Sequence, residues 1–299
     1  MYHRILPKSD ARYAGEEPGM IVEPETFRQH LQQLKQLFTI LPLSEWAERQ
    51  QSGKTMPSNA CTITLDDGWA DNYEYAFPII QEEQVPATLF AVSDMIGGTQ
   101  QFWPNRLARL FTHCSQEQLS ELNWLAPFWV SRTATLNPEE ISAIIQLLKS
   151  LPDDVIVNHL SETEVLLGIA NGTSQPLVNW QQLREMSNSG LVEIGSHTCN
   201  HYRLQQSLDP IVMASEIINS RQRLQDELNK PVDLFCYPNG DVCPEALELV
   251  RSHYKAAVTT RSGINSNKTT DLHQLVRIGV HQDISSTSTK FQSRLANWF

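Results

Sequence analysis

Short strand-like runs alternate with amphipathic helical stretches along most of this chain, and no other feature restricts its fold as strongly. Residues 2–6 read as a first strand, followed by a helix over 24–38 with Phe27, Leu31, Leu34 and Phe38 on one face. A strand at 38–41 and a short helix at 43–51 come next. The run C-T-I-T-L-D-D at 61–67 is β-branched and ends in a polar turn, as strands do. A helix over 72–84 and a strand over 87–92 continue the rhythm. Strands over 192–197, 234–237, 255–260 and 275–281 complete it. Between the first two of these, Asp209 caps a helix with Pro210 in its first turn and Met213, Ile217, Leu224 and Leu228 on one face. Strands separated by helices pair in parallel through βαβ units, so the fold class is α/β. The expected architecture is a distorted (β/α) barrel of about seven strands, closed or nearly closed rather than an open sheet.

Residues 95–180 interrupt the alternation. Helices are expected over 103–112, 116–122 and 137–148, with no strand between them. The last opens with Asn137 as cap, Pro138 next and Glu140 three residues after the cap. This segment reads as a helical insertion on one connection of the barrel, serving either as packing or as a lid. The expected organisation is a single domain over 1–299 carrying that insertion. At about 150 residues per domain two would fit, but α/β barrels of this length are commonly one.

Composition narrows the function classes. Hydrophobic residues make up 40% of the 299, enough for a sizeable core. The formal charge is −11, so the chain lacks the basic footprint of a nucleic-acid binder and is repelled by anionic surfaces. No apolar run approaches the roughly 18 residues of a membrane-spanning helix. The five cysteines, Cys61, Cys114, Cys199, Cys236 and Cys243, are dispersed and form no C-x-x-C pair. A disulfide scaffold or a structural zinc cluster is therefore not expected. Residues 1–20 show no basic start followed by an apolar core, so the expected location is cytoplasmic. The N-x-T matches at Asn171 and Asn267 read as chance.

Two motifs carry chemistry. Asp66 and Asp67, followed by Gly68, stand at a strand end, the rim where α/β barrels place their active residues. Taken alone, D-D-G is also a good turn. His197 and His201 follow a later strand in S-H-T-C-N-H, and a spacing of four puts both rings on one side of a helical turn. Two imidazoles and a carboxylate from another strand end make a three-ligand site with an open position, which suits Zn²⁺.

Together the motifs are more specific. T-L-D-D-G at 64–68, S-H-T-x-x-H at 196–201 and F-C-Y-P-N-G at 235–240 resemble, in order and spacing, the polysaccharide deacetylase family, the NodB-homology group of carbohydrate esterases. The resemblance runs from Tyr2 to about His281. It implies that Asp66 is the catalytic base and that Asp67, His197 and His201 hold one divalent metal ion, with zinc the first choice. Leu65 stands where the usual residue is Phe, an apolar exchange. Ser196 and Thr198 would orient the histidine loop by hydrogen bonds.

The third motif departs from the family pattern. Many members have Arg at the position of Cys236 and Tyr at that of Asn239. Arg277 is the expected replacement tether for the base, with a surface ion pair as its alternative. The Asn239 backbone N–H would still meet the oxyanion, and Cys236 reads as a small buried hydrophobe. Members with F-x-Y-P-x-G resemble this chain in opening with a Y-H-x-I strand, whose early His acts as general acid. That implies His3 in the role, with His281 as competitor. His30, His113, His159, His253 and His273 lie outside the motifs and read as surface or structural. Trp69, Tyr73, Trp103 and Trp129 could stack on sugars, but read mostly as core.

The implied function is metal-dependent removal of N-acetyl groups from the amino sugars of a poly- or oligosaccharide. The implied partner is that glycan, and the oligomeric state is left open. The alternatives are a glycan-binding pseudoenzyme and a metal-dependent amidohydrolase acting on non-sugar amides.

Overall fold

The computed structural model describes residues 1–13, 16, 18–128, 136–169, 176–266 and 270–296. Trp129, Asn171 and Asn267 lie outside the described residues. The strands are β1 (Arg4–Ile5), β2 (Ile21–Val22), β3 (Thr39–Ile40), β4 (Ala60–Cys61), β5 (Thr64–Leu65), β6 (Ala87–Ala91), β7 (Val192–Ser196), β8 (Leu234–Cys236) and β9 (Ala256–Val258). β5 to β9 form one parallel sheet in sequence order, while β1 pairs with β2 and β3 with β4. Every residue of β6 is buried, as expected for a parallel strand covered on both faces. Gly195 in β7 is required, because a side chain there would meet the Phe90 ring at 2.5 Å.

The sheet curls until its edges nearly meet. On one side Tyr2 joins β5, donating to Thr64 O at 2.9 Å and accepting from Asp66 N at 3.0 Å. On the other, Leu275 joins β9, donating to Ala257 O at 2.9 Å. Val280 N donates to Met1 O at 3.1 Å, and the Met1 amine to Ile278 O at 2.9 Å. Five ladder strands plus these two segments make seven staves of a distorted (β/α) barrel.

Three strand expectations are corrected. Residues 61–67 form two short pieces, β4 and β5, with β4 turned away to pair with β3. Residues 275–281 are not a regular strand and touch β9 only at Leu275. β2 is a strand that alternation alone does not reveal, because it is only two residues long.

The helices begin with α1 (Pro24–Leu37), α2 (Leu43–Ser52) and α3 (Phe77–Glu83), the last entered through a π-helical turn at Asn72–Ala76. Between β6 and β7 come α4 (Trp103–His113), α5 (Gln116–Ser120), α6 (Pro138–Leu148), α7 (Asp153–Leu167) and α8 (Trp180–Asn188). Capping boxes start α5, α6 and α8, at Ser115, Asn137 and Asn179, satisfying N–H groups that lack helical partners. α7 and α8 are helices beyond those expected from sequence. Residues of α4 to α7 share a separate apolar cluster around Leu107, Leu148, Ile156 and Leu160. In contrast Leu183 and Met186 of α8 belong to the barrel core. Met95, Ile96, Leu177 and Val178, near the two ends of this connection, also pack in the barrel core.

The remaining helices are α9 (Pro210–Leu228), α10 (Pro244–His253), α11 (Gln282–Ser285) and α12 (Ser288–Leu295). No described helix is long and apolar enough to cross a membrane. Because β5 to β9 are parallel, their C-terminal ends face one rim, and the turns after β5, β7 and β8 meet there.

Candidate active site

The turn after β5 presents two carboxylates in different settings. Asp67 has a φ of 74° and Gly68 one of 81°, so the backbone reverses sharply and both aspartates reach the rim. Asp67 Oδ1 lies 3.3 Å from His197 Nε2 and 3.4 Å from His201 Nε2. Asp67 Oδ2 accepts a 2.8 Å hydrogen bond from Trp69 Nε1, which fixes the carboxylate and leaves Oδ1 toward the histidines. Burial alone would raise the Asp67 carboxyl, but hydrogen bonds from His197 and His201 hold it well below the usual carboxylate range.

His197 Nδ1 donates to Cys236 O at 2.8 Å. A carbonyl can only accept, so Nδ1 carries a ring proton and Nε2 is the nitrogen that faces Asp67. The loop to His201 is not the helical turn expected from the spacing. Thr198 and His201 both have positive φ, 65° and 62°, and this tight loop brings the rings together edge to face at 4.8 Å. Thr198 Oγ1 donates to His197 O at 2.6 Å, Ser196 Oγ pairs with Ser220 Oγ at 2.8 Å, and Asn200 is bound through N and Nδ2 to Glu216. The ligating atoms of Asp67, His197 and His201 all lie within 4.8 Å of one another. A carboxylate oxygen and two imidazole nitrogens are a donor set that fits a divalent ion such as zinc. Asp66, His197 and Cys236 also lie this close, but they suit a metal poorly. Both Asp66 oxygens are taken, and burial pushes the Cys236 thiol well above its ordinary value, away from the thiolate a metal needs.

Asp66 is 1% exposed. Arg277 grips it with both terminal nitrogens, Nη1 to Oδ1 and Nη2 to Oδ2, each at 2.7 Å. Arg277 is itself held by Thr259 O at 2.8 Å and Thr64 Oγ1 at 3.0 Å. Burial works to raise the Asp66 carboxyl, yet the Arg277 guanidinium overrides it and brings it down to about 2. Cys236 Sγ lies 3.3 Å from Arg277 Nη2 and 3.5 Å from Asp66 Oδ2, as a small buried group beside the pair.

His3 Nε2 lies 3.9 Å from Asp66 Oδ2. Burial lowers its pKa, with Asp67 and Asp66 opposing. His281 instead pairs through Nδ1 with Asp283 at the start of α11. Asn239 follows β8 in the left-handed region, φ 57°. Its side chain turns outward to Lys149 Nζ and Asp241, each at 3.3 Å, and its N–H has no acceptor among the described residues.

Sequence reasoning missed the residues that fasten these groups. Asn72 Nδ2 donates to His3 O at 2.8 Å, and Asp71 Oδ1 accepts from Ile5 N at 2.7 Å. Asp71 Oδ2 accepts from Arg4 Nε and Nη2 at 3.0 and 2.8 Å, and Arg4 lies 4.2 Å over the Trp69 ring. The segment 69–72 thus clamps Asp67 through Trp69 and the strand of His3 through Asp71 and Asn72. The available signal was the pair Asp71 and Asn72, which follows D-D-G-W-A directly at the start of the next helical turn. Tyr73 bonds Glu185 at 2.8 Å on the surface, and Trp103 is buried between α4 and its neighbours.

Residues 53–258 match the family model described as polysaccharide deacetylase. The chain belongs to the polysaccharide deacetylase family. The matched span contains β5 to β9 and with them Asp66, Asp67, His197, His201 and Asn239, while His3 and Arg277 lie outside it. Among curated proteins, this deacetylase family member is 22% identical over 234 residues to the Bacillus subtilis protein YxkH, a polysaccharide deacetylase by name. That match takes in 78% of this chain, which spans just over half (56%) of YxkH. Among solved structures, the Streptococcus pyogenes deacetylase PplD in complex with acetate is similar with a TM-score of 0.60 and 22% identity, over 95% of this chain and 92% of that one. IcaB from Ammonifex degensii gives 0.62 and 19%, over 99% and 94%. At these identities the likeness establishes the barrel fold of the family member.

Proposed function

We propose that this chain is a metal-dependent hydrolase that removes N-acetyl groups from the amino sugars of a poly- or oligosaccharide. The observation that carries the reading is the convergence of Asp67, His197 and His201 within 4.8 Å, with Asp66 and His3 beside them, in a polysaccharide deacetylase family member. Asp67 through Oδ1 and the two histidines through Nε2 would hold one ion, which the donor set suggests is zinc. When bound, such an ion supplies a Lewis acid that polarises the acetamide carbonyl and lowers the pKa of water.

The residues divide the remaining work. Asp66, kept ionised by Arg277, accepts a proton as water attacks the acetyl carbon. The free Asn239 N–H is suited to receive the developing oxyanion. His3, whose lowered pKa makes its cation a readier acid, gives a proton to the departing sugar nitrogen. The C–N bond breaks, leaving acetate and a free amino sugar. Arg277 keeps Asp66 from rotating and does not touch substrate.

The test is Asp66→Asn. The variant should bind zinc as the parent does, because Asp66 is not a proposed ligand, and should release acetate from N-acetylglucosamine oligomers about 10²–10⁴-fold more slowly. Zinc titration and an acetate assay read both quantities. Activity within a few-fold of the parent would remove Asp66 from the reaction.

A further inference from the structure

His197 and His201 are held in different ways. The His197 ring is aimed by its hydrogen bond to Cys236 O, whereas Nδ1 of the His201 ring has no hydrogen-bond partner among the described residues. Apart from ring contacts with Phe102 and His197, the direction of His201 Nε2 therefore rests on the backbone beneath it. That backbone has a φ of 62°, a conformation that L side chains rarely adopt and that persists where the surroundings impose it.

A buried carboxylate ties the chain down on each side of His201. Before it, Asn200 donates through N and Nδ2 to Glu216 of α9 at 2.8 and 2.7 Å. After it, Arg203 donates its backbone N to Asp153 Oδ2 at 2.5 Å and its Nε to Asp153 Oδ1 at 2.9 Å. The other two guanidinium nitrogens donate to Lys149 O at 2.8 Å and Leu151 O at 2.7 Å. Lys149 caps the end of α6 and Asp153 opens α7, so one side chain fastens the corner between two inserted helices to the histidine loop. Arg203 is 5% exposed and Asp153 1%. Desolvation opposes the attraction in such a buried pair, which makes it a poor source of stability. What the pair does fix is a position, namely the backbone N–H two residues after the ligand.

We propose that Asp153 and Arg203 are positioning residues for the metal site, acting through His201. They hold the loop in the shape that aims His201 Nε2 at the ion, so the inserted helices contribute to metal affinity although none of the proposed ligands lies on them. The proposal rests on the assignment of His201 as a ligand.

The experiment is a double-mutant cycle read by zinc affinity, independent of catalysis. Zinc dissociation constants are measured by competition with a chromogenic chelator for wild type, His201→Ala, Asp153→Ala and the double variant. Thermal melts of the metal-free proteins check that each folds. Should Asp153→Ala leave Arg203 unpaired and unfold the chain, Asp153→Leu combined with Arg203→Met removes both charges and takes its place in the cycle. Loss of the Asp153 clamp should weaken zinc binding about 10–100-fold, the size typical when a group that orients a ligand is removed. In the His201→Ala background the same change should cost less than about twofold, since no ligand remains there to be aimed. Wild-type affinity without the clamp, or an equal loss with and without His201, would overturn the positioning role and leave the ligand assignment standing. Full zinc affinity in His201→Ala would overturn the ligand assignment and the proposal with it.

Discussion

Asp66 and Asp67 are neighbours in sequence and opposites in chemistry, and the difference lies in who holds them. Asp67 faces two imidazoles and an indole N–H, whereas Asp66 faces a guanidinium. Arg277 therefore governs the ionisation of Asp66. In the wild type the carboxyl sits at about 2, because Arg277 overrides burial. Its folded value is below the unfolded one, so the pair contributes fully to stability above pH ~4, and that contribution is lost as pH falls toward 2. In Arg277→Met burial is opposed only by the weaker pull of His3 and His197, and the carboxyl rises. An acidic limb should then move upward in the pH profile of kcat/KM, and the fold should lose about 3–5 kcal/mol from the uncompensated buried charge. A profile and a melting curve unchanged from wild type would show that Arg277 is not the tether. His3 and His281 are separated by a second comparison. His3→Ala should lower kcat about 10²–10⁴-fold with zinc retained, whereas His281→Ala, paired with Asp283, should stay within a few-fold. The reverse pattern in steady-state kinetics would give His281 the role.

At the scale of elements, the N-terminal strand is the least ordinary part of the site. β1 is two residues long and would fray alone, yet it carries His3 to the rim. Asp71 and Asn72 hold it from the segment that also anchors Asp67. Asn72→Ala removes the hydrogen bond to His3 O and should lower kcat about tenfold, the size expected of one hydrogen bond. Zinc affinity should not change, and a matching loss of zinc would mean that the whole turn had collapsed. The strands from β6 to β9 were legible because short buried apolar runs between helices have few other solutions. The closing segment 275–280 was not, because its contacts are made to Met1 and β9 across the whole chain. The meeting of the two histidines was readable from their spacing. The route was not, since positive φ at Thr198 and His201 is set by tertiary contacts and not by a helical turn. The hold on Asp67 by Trp69 is likewise invisible in sequence, where a tryptophan reads as core.

At the scale of the molecule, the barrel gathers residues from both ends of the chain and from three strand ends onto one rim, and the corner between α6 and α7 is tied to the loop of His201. Charge fits the reading of a neutral glycan, since a chain of net charge −11 does not attract polyanions. The central claim is that acetate release from an amino-sugar chain depends on a metal held by Asp67, His197 and His201. The direct measurement is acetate release from the β-1,4- and β-1,6-linked N-acetylglucosamine tetramers by wild type and His201→Ala, after stripping with a chelator and during zinc titration. Activity should vanish on stripping and return in wild type at one equivalent of zinc, with His201→Ala needing far more. Acetate release that survives complete removal of metal, or that His201→Ala recovers at the same one equivalent, would contradict the account.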